Sequence, residues 1–258
     1  MNRTMPAAVI PLLPKKNTLS AQVTRYLLDL IARERLQAGD PAPSEVKIGR
    51  DLNVSRGIVR EAYRALATLG ILEIESGKRP RVQGLNSSVL TQIVEFALRT
   101  AHVDALQVLQ LRRAVEVEAA RLAAEHGTEA QFERLRQCVT DLRTAGTDHE
   151  RLIAADVALH TTLAEATGNP LFLLMLGGLR GPLEDSMALG LKSRRTREEV
   201  LQMPEMHEAV VRSVCARNPE GAAQAMAHHF DLSVAAILTA GVTASANAKN
   251  AQRTQRRR

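Results

Sequence analysis

The sequence predicts a mostly α-helical protein, with an N-terminal winged helix-turn-helix followed by an all-helical bundle of six to seven helices. Aromatic residues make up 2% of the 258 residues and tryptophan is absent, so the cores must be built from Ala, Leu, Val and Ile. This composition favours helices. Apolar residues recur at helical spacing over most of the chain, whereas an alternating pattern appears in the short segment ILEIE at 71–75.

Three helices are predicted before residue 70. Apolar residues at helical spacing cover 19–36, and AGDPAP then interrupts the pattern. Ser44 is the predicted N-cap of a short second helix that ends near Asn53. Ser55 is the predicted cap of a third helix, which Gly70 terminates. A short helix and a longer one are thus separated by a tight turn.

The third predicted helix has two distinct faces. Its apolar residues repeat with the spacing of a buried stripe. They are Val59, Ala62, Tyr63, Leu66 and Leu69. Three arginines lie on a neighbouring, outward face: Arg56, Arg60 and Arg64. Among these arginines the sequence offers Glu61 as the nearby acid, so the face carries excess positive charge.

A two-stranded wing completes the module. ILEIE reads as a half-buried strand, SGKRP as a turn, and RVQ at 81–83 as a returning strand. In winged helix-turn-helix modules the second helix of the pair enters the major groove of DNA. The guanidinium groups of Arg56 and Arg60 suit guanine O6 and N7, or a phosphate. Lys78 and Arg79 at the wing tip are placed to follow the DNA backbone or to enter the minor groove. The alternative is a solvated face on a helical hairpin domain.

The rest of the chain is predicted to be helical between polar ends. We expect a flexible arm at 1–16, the winged domain at 17–83, a linker at 84–88, a helical domain at 89–240 and a basic, disordered tail at 241–258. Helices are predicted at about 91–100, 104–125, 129–144, 149–167, 171–190, 196–216 and 219–240. Pro182 is expected to end or kink the helix that contains it.

Charge is distributed unevenly along the chain. Residues 15–83 hold 13 basic and 8 acidic side chains, a net charge of +5, whereas residues 84–240 hold 15 basic and 20 acidic, a net charge of −5. A basic first part indicates a polyanionic partner such as nucleic acid. Cys138 and Cys215 are too few for a disulfide framework, and we expect both to be buried as small apolar residues.

Nothing in the sequence indicates a membrane protein. The longest apolar run, LFLLMLGGL at 171–179, is about half of the ~20 residues that a spanning helix needs. The N-terminus lacks the charged and apolar regions of a secretory signal. We therefore expect a cytoplasmic protein with no membrane partner.

Histidines and an aspartate in the second half form a candidate metal site. Asp156 and His160 are four residues apart on one predicted helix and so share a face. His207 and the pair His228/His229 lie on two other predicted helices. Helical bundles build metal sites from inward side chains on facing helices. One carboxylate and three imidazoles suit zinc, and also nickel, iron or manganese. Periodicity does not choose between His228 and His229.

Two adjacent arginines lie in a strongly apolar predicted helix, LQLRRAVEVEAARLAA. Arg112 or Arg113 could project inward and bind a carboxylate beside the proposed metal. The alternative is an arginine that reaches the surface with its head group, or an ion pair with Glu116.

The segment SEVKIGRDLNVSRGIVREAYRALATLGILEIESGKRPRV resembles the DNA-binding half of the GntR regulators. Four further segments resemble the helical effector domain, called FCD, of the branch that includes the fatty-acid-responsive regulator. They are LRRAVEVEAARLAA, DVALHTTLAEATGNP, EMHEAVVRSV and AAQAMAHHF. The resemblance covers about residues 19 to 238 and implies a ligand-controlled transcription factor, usually a homodimeric repressor on a pseudo-palindromic operator.

The resemblance also implies roles for individual residues. The DNA-contacting residues would be Ser55, Arg56, Gly57, Ile58, Arg60, Ser76 and Gly77, with Lys78 beside them on the wing. The metal ligands would be Asp156, His160, His207 and His229. Arg112 matches the effector-facing arginine, and the effectors of metal-binding members are typically small organic acids whose carboxylate completes the coordination of the metal.

Two other functions compete with this interpretation. A metal-dependent hydrolase with an accessory DNA-binding domain would need a general base near the metal, for which Glu205 and Glu208 are the candidates. No recognisable catalytic motif accompanies them, so we expect the protein not to be an enzyme. A nonspecific architectural DNA-binding protein would bind all duplexes equally, whereas a regulator prefers its own promoter by orders of magnitude.

Overall fold

The computed structural model of the chain describes residues 18–180 and 197–235. The predicted N-terminal arm, the break expected at Pro182 and the predicted basic tail lie outside the described residues. The chain divides into two compact units, Met1–Asn86 and Ser87–Arg258. This division falls inside the predicted linker at 84–88, and the roles assigned to the two domains stay predictions.

From residue 18 onward, the first unit contains three helices and a two-stranded antiparallel wing. In chain order they are α1 (Leu19–Arg33), α2 (Glu45–Leu52), α3 (Arg56–Thr68), β1 (Leu72–Glu73) and β2 (Arg81–Val82). Leu72 pairs with Val82, and both side chains are buried. The predicted order of a winged helix-turn-helix is confirmed, although the strand predicted over 71–75 is shorter than expected. Ile74 is exposed, because the chain turns where the Lys78 amide donates to the Glu75 carbonyl.

Local capping explains where α2 begins and ends, but not where α3 begins. The Ser44 hydroxyl accepts a hydrogen bond from the Lys47 amide at 3.2 Å, as expected of an N-cap. Asn53 ends α2 in the left-handed conformation, with φ of 51°, which asparagine tolerates better than most residues. Ser55 takes the predicted N-cap position of α3, but its side chain makes no capping hydrogen bond.

The apolar stripe of α3 forms the centre of the first core. Val59, Ala62, Tyr63 and Leu66 are fully buried, as the periodicity predicts. The prediction that Leu69 extends this stripe is wrong, since Leu69 is 42% exposed. The reason is that α3 ends at Thr68, so Leu69 no longer follows the helical period.

A hydrogen bond inside this core fixes the chain that precedes α2. The Tyr63 hydroxyl donates to the Pro43 carbonyl at 2.5 Å, across 20 residues of sequence. On the same segment the Ala42 amide donates to the Pro80 carbonyl at 2.8 Å. Helix α3 and the wing therefore both hold the start of α2 in place.

The second unit has seven helices among the described residues. They are α4 (Ser88–Arg99), α5 (Ala105–His126), α6 (Glu129–Ala145), α7 (His149–Ala166), α8 (Pro170–Arg180), α9 (Arg197–Cys215) and α10 (219–235). The predicted all-helical bundle is confirmed. None of the described helices combines the length and the apolar character that crossing a bilayer requires.

The second core joins the helices that carry the candidate site. Ala123 of α5, Leu159 of α7, Val210 of α9 and Met226 of α10 are buried in one cluster. Small and branched apolar side chains make up most of this cluster and let the helices approach closely, with Phe132 and Phe230 as its buried aromatic residues. Cys138 is also buried there, whereas Cys215 is only partly buried, and both thiols are free.

The Tyr63 hydrogen bond yields a stability prediction. Tyr63→Phe leaves the buried Pro43 carbonyl without its donor, which should lower the free energy of unfolding by about 1–3 kcal/mol. Tyr26→Phe is the matched control, because Tyr26 is only partly buried and packs under Arg33; it should change stability by less than about 0.5 kcal/mol. Urea unfolding of both variants measures the difference. Equal effects would contradict a structural role for this hydrogen bond.

Candidate functional site

Four side chains predicted as metal ligands meet inside the second unit. Asp156 and His160 come from α7, His207 from α9 and His229 from α10. All four are buried, the most accessible being His229 at 7%. His228 is exposed. The structure therefore places His229, and not His228, in the cluster, a choice that periodicity leaves open.

The donor atoms of this cluster lie close enough to share one ion. Nitrogen atoms of the three histidines all lie within 4.8 Å of one another. Asp156 Oδ1 lies 2.9 Å from His207 Nε2 and 3.6 Å from His160 Nε2. Three imidazole nitrogens and a carboxylate oxygen are a donor set that zinc and its neighbouring transition metals accept. The cluster could therefore hold a metal ion; the role of the four residues as ligands stays a prediction.

The outer nitrogen of two histidines is held by an oxygen acceptor. His207 Nδ1 lies 2.7 Å from the Met203 carbonyl, which can only accept, so Nδ1 carries the proton. His160 Nδ1 lies against Glu116 Oε2, and a proton on this nitrogen avoids repulsion between a lone pair and the carboxylate. Both Nε2 atoms then face Asp156. Metal-binding histidines are usually oriented by such outer contacts.

Three buried nitrogens of the cluster lack a well-directed hydrogen bond among the described residues. They are His160 Nδ1, which lies against Glu116, His207 Nε2, which offers a lone pair toward the Asp156 carboxylate, and His229 Nδ1. Leaving buried polar atoms unpaired is costly. A cation between His207, His229 and Asp156 would remove the repulsion and use the lone pairs of both imidazoles, so the residues present fit a bound metal.

Electrostatics in the cluster depend on mutual compensation of buried charges. Burial alone raises the pKa of the Glu116 carboxyl, but the charges of Arg112 and His160 outweigh it and lower this pKa to about 2. For His160, burial favours the neutral imidazole, yet Glu116 and Asp156 raise its pKa to about 9. Burial also opposes ionisation of Asp156, but the neighbouring histidines hold its pKa well below the usual value.

Burial keeps the His229 imidazole neutral. Its burial lowers the pKa of the imidazole well below 6.5, and the neighbouring His207 and His160 add to this effect. A neutral imidazole at physiological pH keeps a lone pair for a metal without first losing a proton.

Arg112, not Arg113, is the inward arginine. Arg112 is buried, its Nε donates to Glu116 Oε1 at 2.7 Å, and its guanidinium lies 5.6 Å from the centre of the Phe230 ring. Arg113 instead pairs with Asp231 on the surface at 3.0 Å. The ion pair with Glu116, one of the sequence alternatives, is therefore present. The sequence reasoning missed that Glu116 also contacts His160, because 44 residues separate the two positions.

Neither glutamate considered for a hydrolase lies in this cluster. Glu205 is exposed, and Glu208 forms an ion pair with Arg143 at 2.5 Å. Among the described residues, no hydrogen bond or ion pair connects either carboxylate to the four candidate ligands. Neither of these two glutamates is therefore placed as a general base beside the proposed metal.

In the first unit, the residues predicted to contact DNA lie mostly on its surface. Ser55, Arg56, Gly57 and Arg60 are exposed at the start of α3, and Ile58 is partly buried. Ser76, Gly77 and Lys78 are exposed in the wing turn, where Gly77 has a φ of 75° that favours glycine. The start of α3 and the wing turn are therefore both accessible to a ligand, and their contacts with DNA stay predictions.

Two side chains of this surface are engaged in ways that the sequence does not indicate. Arg60 Nε donates to Glu45 Oε2 at 3.1 Å. Arg79 Nε donates to the Ala42 carbonyl at 2.9 Å, so this side chain, expected at the wing tip, packs back toward the start of α2. Lys78 remains exposed and pairs with Glu75.

Two family descriptions match the chain. Residues 19–82 match "Bacterial regulatory proteins, gntR family", and residues 107–232 match "FCD domain". The two matches cover the helix-turn-helix with its wing and the helices that carry the histidine cluster. The matched families and relatives are transcriptional regulators and not enzymes.

Individual relatives agree with the family matches. The chain is 30% identical over 205 residues to the HTH-type transcriptional regulator LutR of Bacillus subtilis, covering 78% of this chain and 93% of the relative. It is 30% identical over 229 residues to the HTH-type transcriptional repressor NanR of Cronobacter sakazakii, covering 86% and 85%. The solved structure of Streptococcus agalactiae GntR shares the fold, with a TM-score of 0.62 at 24% identity over 83% of this chain and 98% of that chain.

The two adjacent histidines provide a matched test of metal binding. His229→Ala removes a buried nitrogen of the cluster and should lower zinc affinity on the order of 100-fold or more, since even outer contacts of metal ligands are worth ~10–100-fold. His228→Ala makes the same chemical change on the exposed side of α10 and should leave the affinity unchanged. Competition with a chromophoric chelator measures both affinities. Equal zinc binding by the two variants would exclude His229 as a ligand.

The raised pKa of His160 predicts a proton linked to metal binding. Below pH 9 the metal-free protein carries a proton on His160 that the metal must displace from Nε2. Affinity for zinc should therefore increase about tenfold per pH unit between pH 6.5 and 8. Titration calorimetry at pH 7, in buffers of different ionisation enthalpy, should detect about one released proton per ion. A pH-independent affinity would contradict this protonation state.

Proposed function

We propose a function for this chain on the basis of its family. The chain belongs to the GntR family of bacterial regulatory proteins, carries an FCD domain and is a DNA-binding transcriptional regulator. Beyond this premise, we propose that it is a repressor that senses a small organic acid at a metal site in its second unit. The observation that carries this proposal is the convergence of one buried carboxylate and three buried imidazoles from three helices.

We propose that Asp156, His160, His207 and His229 hold one divalent cation. Zinc fits the nitrogen-rich donor set, and nickel, iron and manganese are the alternatives. A bound ion of this kind supplies a Lewis acid that accepts an oxygen donor from a ligand. Glu116 and the Met203 carbonyl orient the His160 and His207 rings through their Nδ1 atoms.

Charge balance supports an anionic effector. With a divalent cation in place and His160 neutral, two ionised carboxylates and one guanidinium leave a net charge of one positive unit in the buried site. A monocarboxylate would neutralise it, because buried charges require a partner. Arg112 uses Nε for Glu116 and keeps its two terminal amino groups for a ligand carboxylate, a geometry that guanidinium recognises with two hydrogen bonds.

In the first unit, we propose that α3 lies in the major groove of an operator and that the wing follows the adjacent backbone. The contacting residues would be Ser55, Arg56, Gly57, Ile58, Arg60, Ser76, Gly77 and Lys78. A homodimer on a pseudo-palindromic site would place one α3 in each half-site. The effector can shift DNA binding only if it binds the DNA-bound and the free arrangements of the protein with different affinities.

Paired arginine variants test the effector site. Arg112→Lys keeps the positive charge but loses the planar fork, so the zinc-loaded protein should need about tenfold more organic acid to release its operator. Arg113→Lys makes the same change in a surface ion pair and should not alter the response. A thermal-shift screen with added zinc identifies the acid, and fluorescence anisotropy of labelled operator DNA measures release. Identical responses of both variants would remove Arg112 from the effector site.

A further inference from the structure

The three arginines of α3 are not equivalent. Arg60 Nε donates to Glu45 Oε2 at 3.1 Å, which joins the second turn of α3 to the first residue of α2. No ion-pair partner of Arg56 or Arg64 is found within residues 18–180 and 197–235. Of the three α3 arginines, Arg60 is therefore the one whose side chain an ion pair directs among the described residues.

The atom that Glu45 engages determines what Arg60 can still bind. A guanidinium has five N–H donors, one on Nε and four on the two terminal nitrogens. Because Glu45 occupies Nε, both terminal nitrogens keep their protons in the end-on fork that matches guanine O6 and N7. The side chain of Arg60 is 64% exposed, so this fork is accessible to a ligand.

The backbone that carries Glu45 is itself held in place by the packed core. Ser44 caps α2 directly before Glu45, and the Pro43 carbonyl accepts the hydrogen bond of the buried Tyr63 hydroxyl. Tyr63 is on α3, one turn beyond the position of Arg60 on the same helix. Helix α3 thus both carries Arg60 and, through Tyr63, holds the start of α2, where Glu45 lies. The Arg60–Glu45 ion pair is a second connection between the same two helices.

We propose that Glu45 is a positioning residue for base recognition, which holds Arg60 Nε so that the two terminal nitrogens face one guanine. This inference rests on the proposed function, in which α3 occupies the major groove. Fixing the guanidinium before DNA binds reduces the loss of side-chain entropy on binding, which is large for arginine. Glu45 therefore acts on the choice of base at one position, in addition to the general repulsion that a carboxylate near DNA exerts on phosphates.

Asp51 provides a matched control. It is another carboxylate of α2, partly exposed and paired with Lys47 at 3.5 Å, and it does not contact Arg60 in the described residues. Glu45→Gln and Asp51→Asn both remove one negative charge, and both should tighten binding to any duplex similarly by reducing repulsion from phosphates. Only a change at Glu45 should alter base choice.

The experiment uses the full-length protein and an operator selected by it from random duplexes. Affinities are then measured by anisotropy for every single-base substitution of one half-site, in wild type and variants. Arg60→Ala should abolish discrimination at one guanine, and Glu45→Ala should lower discrimination at the same base pair by roughly fivefold or more. Glu45→Gln should recover part of it, because the amide oxygen still accepts from Nε. The double variant should match Arg60→Ala, and Asp51→Asn should match the base preferences of wild type.

Three outcomes would overturn the inference. If Arg60→Ala loses discrimination and Glu45→Ala keeps it, Arg60 reads a base without help from Glu45, and the proposed function stands. If Glu45→Ala lowers discrimination further in the Arg60→Ala background, Glu45 acts through its own contact. If Arg60→Ala keeps the full profile, the assignment of Arg60 to base recognition fails as well. Thermal unfolding of each variant verifies that the fold is retained, since exposed ion pairs contribute only about 0–1 kcal/mol.

Discussion

The second unit depends on the burial of an ionised aspartate opposite two imidazoles. Asp156 is 4% exposed, and its Oδ1 faces Nε2 of both His160 and His207. Removing a carboxylate from water is costly unless a positive partner compensates it. In the metal-free protein the protonated His160 supplies that charge, and in the proposed metal-bound protein the cation does so. Proton and metal are therefore alternative partners of the same carboxylate.

The contacts around this aspartate form a continuous chain across four helices. Arg112 of α5 binds Glu116, Glu116 contacts His160 of α7, and Asp156 lies between His160 and His207 of α9. The chain ends where His207 contacts the carbonyl of Met203, while His229 closes the cluster from α10. Because Arg112 is tied to the candidate ligands through Glu116, a carboxylate bound at Arg112 would alter the charge that surrounds the metal. This connection gives the proposed effector a direct physical route to the cluster.

Sequence periodicity was sufficient for the architecture but not for the contacts between elements. Helices of 11 residues or more repeat the apolar period several times, so their positions were predicted well. The two wing strands have two residues each, and the sequence overestimates their length. Hydrogen bonding in the turn ends the pairing early. Leu69 is wrongly predicted to be buried for a similar reason. It lies one residue past the end of α3, where the helical spacing of apolar residues no longer applies. The apolar period by itself therefore does not show where an element stops.

The candidate site shows the same limit at the level of side chains. The i, i+4 spacing of Asp156 and His160 is visible in the sequence, whereas the contact of Glu116 with His160 joins two helices and has no local signature. Periodicity alone did not separate Arg112 from Arg113 or His229 from His228, because each pair borders the apolar face of its helix. The Arg60–Glu45 pair, 15 residues apart across a turn, was likewise not predictable from charge patterns.

The proposed metal site requires that four side chains of the second unit enclose one ion. Anomalous diffraction from crystals of the zinc-loaded protein, recorded above and below the zinc absorption edge, locates that ion without reference to activity. We expect a single anomalous peak within bonding distance of Asp156, His160, His207 and His229, at about 2.0–2.2 Å. A peak at another location, or no peak between these side chains in zinc-loaded crystals, would contradict the site.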